Sequence, residues 1–366
     1  MFNKLYQPSA GGIERAVYDL CEENKDKVEL TVLSANTKFK TETEYRNGYK
    51  IIRAASFGKV LSSVHLAIAI PWWWKKIRAD IVHFHFPSPV AELYCLALWP
   101  RRQPLVVSYH ADIVGYKKAL FFYNFFLRKF LERADRIIIS SSAILEHSPF
   151  LDKFRDKCVI IPYGIDIDKF RLTEQVKEAT KIIRDRFYGP IILFVGRLVA
   201  YKGLDYLIPA MKDIAATLLV VGKGNQEAVL KKLAKNLGVS KKVFFIGEVQ
   251  DKDLPAYYHA CDVFVLPSVN NKEEFGLVQL EAHTCAKPVV STTLPTAVPF
   301  VNLDGITGIT ISPRSSKELV VAVNKLLGDE GLRIRLGKQA QDRAESQFNR
   351  EIMAKKVLDV YREVFS

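Results

Sequence analysis

A chain of 366 residues with 49% hydrophobic and 25% charged side chains exceeds one hydrophobic core and is too apolar for disorder, so two globular domains of roughly 150–200 residues are expected. Cys21, Cys95, Cys158, Cys261 and Cys285 are scattered and form no Cys-x-x-Cys pair, which argues against a disulfide framework or a zinc site and for a reducing, cytoplasmic compartment. The formal charge of +13 is concentrated early, with 24 Lys and Arg against 16 Asp and Glu in residues 1–165, and suits a phosphorylated substrate, an anionic membrane or a nucleic acid.

Short β-branched runs alternate with longer helical patterns, the signature of parallel sheets covered by helices. Strands are expected at Glu29 to Leu33, Tyr49 to Arg53, Asp80 to Phe84, Leu105 to Tyr109 and Arg136 to Ser140 in the first half. In the second half they are expected at Ile191 to Gly196, Thr217 to Val221, Val243 to Gly247, Val263 to Leu266 and Pro288 to Ser291. Two doubly wound α/β units follow, residues 1–165 and 166–345, joined near Gly164 to Arg171, where Pro162 and Gly164 break the pattern. Residues 1–12 lack the apolar core of a secretory signal. The longest apolar run, Val64 to Trp74, is too short to span a bilayer and is interrupted by Pro71.

Only Phe2 to Tyr6 precedes the turn residues Pro8, Gly11 and Gly12, so the first strand is short or the start of the chain is missing. Gly11 and Gly12 open a helix where a ligand can approach the backbone, although two glycines equally make a plain tight turn. His110 ends a strand and is placed to hydrogen-bond a substrate or exchange a proton, or to be satisfied by its own backbone surroundings. From Lys117 to Arg133, Leu120, Phe121, Phe122, Phe125, Phe126 and Phe130 cover nearly every side of a helix flanked by cations. Such a helix is buried or faces lipid or a partner; Pro71-Trp-Trp-Trp-Lys-Lys76 presents the same choice between ordinary packing and an anionic membrane surface.

The second half opens with Gly196-Arg197 and Lys202-Gly203 at the end of a strand, two cations suited to one diphosphate. The loop lacks the Gly-Lys-Ser/Thr ending of a Walker motif, which weakens a kinase or ATPase reading. Val221-Gly-Lys-Gly224 lets a nucleotide lie close or makes a turn, and Phe245 to Val249 ends a strand where a base can take backbone hydrogen bonds. Residues Thr292 to Pro299 form a loop suited to lining a cleft. Glu273 and Glu281 lie eight positions apart around Phe275, Gly276 and Leu277, a pattern open both to a ligand site and to an acidic helix start.

Gly11-Gly12-Ile-Glu, His110, Gly196-Arg197 with Lys202-Gly203, and Glu273 with Phe275-Gly276-Leu277 and Glu281 occur in the order found in retaining glycosyltransferases of family four, and the chain resembles them nearly end to end. The part from Glu273 to Gly305 looks like bacterial enzymes of surface-polysaccharide assembly, often mannosyltransferases. The resemblance implies a GT-B fold, two Rossmann-like domains facing each other across a cleft, with residues 346–366 as a helix crossing back to the first domain. It implies that Arg197 and Lys202 hold the donor diphosphate, Glu281 the ribose, and Glu273 the sugar. Phe275, Gly276 and Leu277 would offer backbone N–H groups to the donor, Gly11 and Gly12 would approach the diphosphate and acceptor, and His110 would lie beside the transferred sugar; Gly196, Gly224 and Val249, at the ends of their strands, are expected to join the donor-binding residues. The implied donor is a GDP- or UDP-linked sugar, GDP-mannose favoured, and the acceptor a glycan or polyprenyl-linked glycan. No metal or other cofactor is implied, and Asp166-Ile-Asp168 sits in the linker. The enzyme would work in the cytoplasm, with peripheral contact at the inner face of an anionic membrane as a further expectation. Glu274 stands where the family usually has a small residue, which leaves Glu273 assigned by its spacing to Glu281. Two rivals stay open: a nucleotide-sugar epimerase or phosphorylase of the same fold, and a basic nucleic-acid-binding module, for which no sequence signature is present.

Overall fold

The computed structural model describes residues 1–6, 11–57, 59–61, 64–65, 67–98, 103–113 and 117–366. Pro8 and the side chains of Leu120, Phe121 and Phe122 lie outside the described residues. The chain divides into two compact units, Met1–Gly164 together with Arg350–Ser366, and Ile165–Asn349. Chain passage between the units therefore occurs at Gly164 and Asn349, where the sequence places it at 165 and 345.

In the first unit the strands are β1 (Phe2–Asn3), β2 (Thr31–Ala35), β3 (Glu42–Arg46), β4 (Tyr49–Ala54), β5 (Lys59–Leu61), β6 (Val64–His65), β7 (Val82–Phe86), β8 (Leu105–Tyr109), β9 (Arg136–Ile139) and β10 (Cys158–Ile160). Eight of them make one sheet in the order β10-β9-β8-β7-β1-β2-β4-β3, while β5 and β6 form a separate antiparallel ribbon. The sheet pairs in parallel except at β3, which lies antiparallel on β4 at the edge. Central strands such as Leu105–Tyr109 are buried along their whole length, so they read as continuous apolar runs. The strand expected at Asp80 runs instead from Val82 to Phe86, because Asp80 is exposed and burial continues through His85 and Phe86. The first strand spans two residues and sits mid-sheet, with Phe2 beside both Leu33 and Phe84.

One face of this sheet is covered by the helices Ile70–Lys76, Pro89–Leu98 and Lys117–Arg133, which bury Ile70, Cys95, Leu127, Phe130 and Leu131 against Phe84 and Val107. The opposite face receives the helix Arg350–Phe365, whose Met353, Val357 and Tyr361 pack with Leu20, Val106 and Ile138.

The second unit has β11 (Ile191–Val195), β12 (Thr217–Val221), β13 (Val243–Gly247), β14 (Val263–Leu266), β15 (Val289–Thr292) and β16 (Gly308–Ile311), all parallel, in the order β13-β12-β11-β14-β15-β16. Strand order reverses between β11 and β14, the crevice where doubly wound sheets bind ligands at their carboxyl ends. Its core includes Phe194, Leu207, Val220, Val265 and Leu326.

Glu92 interrupts the apolar lining of the first unit. Its Oε1 accepts a hydrogen bond from the Ser88 N–H at 2.7 Å, and Oε2 has no partner among the described residues. Burial pushes the carboxyl up to about 8. Between its ordinary value and about 8 the folded chain holds a proton that the unfolded chain has released, so stability falls as pH rises through that window. Glu92→Gln keeps the acceptor and removes the titration. It is expected to match the parent in urea unfolding near pH 4.5 and to exceed it by a few kcal/mol at pH 8; parallel stability profiles would contradict the assignment.

Candidate active site

Four loops of the second unit converge at its switch point. After β11 the chain passes through Gly196 and Arg197 into a 3-10 turn, Ala200–Lys202, and then the helix Leu204–Ala210. After β14 it runs through Ser268 and Glu273 to Gly276, which caps the helix Leu277–Thr284 in the left-handed conformation. The two loops meet at a buried ion pair: Lys202 Nζ lies 2.5 Å from Glu273 Oε2, with the residues 8% and 7% exposed. Ser268 Oγ donates to the same Glu273 oxygen at 2.8 Å.

Close backbone packing fixes this meeting. Gly203 has φ +73, and a Cβ there would fall 1.9 Å from the Pro267 carbonyl oxygen, so only glycine lets the β11 loop lie against the β14 loop. A Cβ on Gly224 would fall 2.2 Å from the Leu198 carbonyl oxygen, so that glycine packs the β12 loop onto the β11 loop. Thr292 Oγ1 donates to the Ser268 carbonyl at 2.6 Å and ties β15 to the same group.

The other expected residues of this unit surround the pair differently. Arg197 is exposed and its Nη2 donates to the Tyr201 hydroxyl at 3.3 Å, while Gly196 lies beside the Lys202 ammonium. Glu281 occupies the second turn of its helix, where the Tyr258 hydroxyl donates to Oε2 at 2.6 Å. Burial, then the Glu281 charge, push the Tyr258 hydroxyl far up, so it remains a donor. Phe275 and Gly276 are buried and Leu277 begins the helix, whose first N–H groups have no acceptor within the helix. Val249 lies half-buried just beyond β13. Asp166 and Asp168 are engaged locally: Asp166 Oδ1 accepts from the Lys169 N–H, and Asp168 pairs with Arg171 at 2.8 Å.

Gly11, Gly12 and His110 belong to the first unit. Gly11 precedes the helix Gly12–Asn24 in extended backbone. His110 follows β8 and is enclosed by a row of rings: Nε2 lies 2.9 Å from His85 Nδ1, and Nδ1 bonds the Tyr163 hydroxyl. His85 stacks on His83, which reaches the Tyr361 hydroxyl at 2.6 Å and Ser108 Oγ at 2.7 Å. Burial pushes His110 down to about 3, so it is a neutral imidazole with both nitrogens engaged. Ser268, Tyr258, His83 and His85 belong to no motif legible in the sequence. The His-x-His spacing on a strand was the one available signal, since residues two apart share a face.

The two halves match two family descriptions, Glycosyltransferase Family 4 over residues 10–169 and Glycosyl transferases group 1 over residues 180–343. A D-rhamnosyltransferase of Pseudomonas aeruginosa is 30% identical over 318 residues, covering 85% of this chain and 82% of its own. The chain is a family-four glycosyltransferase. This glycosyltransferase is also 29% identical over 365 residues to the O-antigen chain mannosyltransferase C of Escherichia coli, covering 99% of this chain and 96% of that one. The sucrose-phosphate synthase of Thermosynechococcus elongatus superposes with a TM-score of 0.80 at 23% identity, covering 99% of this chain and 96% of its own, which gives the GT-B fold.

Gly203→Ala tests the loop junction. The left-handed conformation alone costs about 1–2 kcal/mol, a cost shared by Gly238, which has φ +72 and no atom within 4 Å of its added Cβ. In chemical denaturation Gly203→Ala is expected to lose clearly more stability than Gly238→Ala; equal losses would refute the junction.

Proposed function

We propose that this glycosyltransferase moves a hexose, mannose from GDP-mannose favoured, to a glycan or polyprenyl-linked glycan in surface-polysaccharide synthesis, with retention at the anomeric carbon. The observation that carries the reading is the buried Lys202–Glu273 pair at the switch point of the second unit. The names of the mannosyltransferase and rhamnosyltransferase relatives support the sugar class and the O-antigen setting.

In this reading the donor diphosphate lies across Arg197 and Lys202. Breaking the bond between the anomeric carbon and the diphosphate oxygen builds negative charge on the leaving group, and the two cations stabilise it. The acceptor hydroxyl attacks from the face the diphosphate leaves, and a phosphate oxygen takes the hydroxyl proton. Glu273, held by Lys202 and Ser268, orients the sugar hydroxyls and is not a nucleophile. Glu281, held by Tyr258, takes the ribose hydroxyls. Phe275, Gly276 and Leu277 present backbone N–H groups, and Val249 flanks the base. Gly11, Gly12 and His110 serve the acceptor and sugar side from the first unit. His110 contributes a fixed neutral ring there, and must exchange one partner before it bonds a substrate hydroxyl. The charge stabilisation comes from Arg197 and Lys202, so the reaction needs no metal.

Arg197→Ala and Lys202→Ala are each expected to lower turnover on the order of 10²-fold, measured as sugar transfer from GDP-mannose, with unchanged turnover in EDTA. Near-normal transfer by either variant would remove it from the diphosphate site. Donor choice is read by thermal shift with GDP, UDP and ADP: a nucleotide at a hundred times its dissociation constant adds about 2.7 kcal/mol. GDP is expected to give the largest shift, and a larger shift with UDP would reassign the donor.

A further inference from the structure

Two helices on the same face of the first unit repeat one outward pattern. In Ile70–Lys76 the exposed residues Trp72, Lys75 and Lys76 stand at i, i+3 and i+4, and in Lys117–Arg133 so do Phe125, Arg128 and Lys129. Each aromatic carries a cation from the next turn: Lys76 Nζ is 3.5 Å from the Trp72 ring centroid, and Lys129 Nζ is 4.4 Å from that of Phe125. Trp72 is 53% exposed, Phe125 57% and the adjoining Phe126 43%, although Trp74 of the same helix packs inward on Phe2 and Phe84. The helix Pro89–Leu98 lies between the two and adds exposed Leu93 to the same face.

Packing inside the unit explains Ile70, Leu127, Phe130 and Leu131, but not three large aromatics turned to solvent. Folding alone gives no return on leaving such area in water, whereas an interface half apolar and half wet uses both ends of each cluster. Charge selects the partner. The two helices carry seven Lys and Arg against a single carboxylate, Glu132, and among the described residues Lys75, Lys76, Arg128 and Lys129 make no ion pair.

We propose that this face docks on an anionic phospholipid bilayer, with Trp72, Phe125 and Phe126 seated at headgroup level and Lys75, Lys76, Arg128 and Lys129 against the phosphates. The docking is interfacial, since among the described residues no helix is long and apolar enough to cross a membrane. It is separate from the donor chemistry, because every residue involved belongs to the first unit and Lys202 and Glu273 belong to the second.

The test is co-sedimentation of the full chain with phosphatidylcholine vesicles prepared with and without phosphatidylglycerol. The chain is expected to bind the anionic vesicles at low salt, to be released as salt rises, and to leave the neutral vesicles unbound. Reversing four charges, K75E/K76E/R128E/K129E, is expected to lower partitioning on the order of 10²–10³-fold. W72S/F125S/F126S is expected to lower it by at least about tenfold, reading the insertion directly. All substituted side chains are exposed, and unfolding midpoints check that each variant is folded; should the quadruple variant fail, K76E/K129E carries the same test. Failure of the parent chain to bind anionic vesicles at low salt overturns the proposal. So does equal binding to neutral vesicles, or a folded charge-reversal variant that binds as the parent does.

Discussion

The second unit of this protein depends on one contact, the ion pair between Lys202 and Glu273. Taking an ammonium and a carboxylate out of water costs several kcal/mol per ion, and their attraction only partly offsets it, so such a pair adds little to stability over an apolar one. Its presence makes sense through its position. Lys202 follows β11 and Glu273 follows β14, the two strands on either side of the reversal in strand order. Holding them together forces four loops into one arrangement, and the surrounding contacts serve that end: Gly203 against Pro267, Gly224 against Leu198, Ser268 on Glu273 and Thr292 on Ser268. The result is a charged group of each sign fixed in place before any ligand arrives, which is the preorganisation that electrostatic catalysis requires.

The two units solve the same topological problem with opposite electrostatics. Along β7 and just beyond the carboxyl end of β8 the first unit lines up His83, His85 and His110, stacked and hydrogen-bonded to Tyr361, Ser108 and Tyr163. Burial depresses all three imidazoles, so this edge is neutral where the other is ionic. A neutral network offers directional hydrogen bonds with no charge to screen, a setting that suits hydroxyl groups better than phosphates.

What could be read from the sequence follows from burial. Leu105–Tyr109, Thr217–Val221 and Val263–Leu266 are legible to the residue because both faces of a central parallel strand are covered, so the apolar run marks its ends, and the outermost Val243–Gly247 is legible through its own apolar run. Glu42–Arg46, Cys158–Ile160 and Gly308–Ile311 are not, because they are outermost strands with one neighbour and a partly wet surface. At the site, the local motifs around Gly196 and Glu273 were visible as separate pieces. The family resemblance brings both to one donor, but the direct ion pair was not legible, since nothing in the spacing of two residues 71 apart encodes contact. Tyr258 and Ser268 left no mark at all: each acts through one hydroxyl, and a hydroxyl in a helix or after a strand looks the same whether it holds a carboxylate or water.

The helix Arg350–Phe365 belongs to the first unit although it follows the whole of the second in the chain. During synthesis the sheet of residues 1–164 therefore emerges with part of one face uncovered, and Leu20, Val106 and Ile138 wait for Met353, Val357 and Tyr361 until residues 350–365 leave the ribosome. The second unit, Ile165–Asn349, can close before its predecessor does. Completion of the first unit thus waits on residues translated after the whole of the second, and a nascent chain stalled at Asn349 would hold a finished second unit and an unfinished first one. Losing the tail is accordingly an injury to the beginning of the protein.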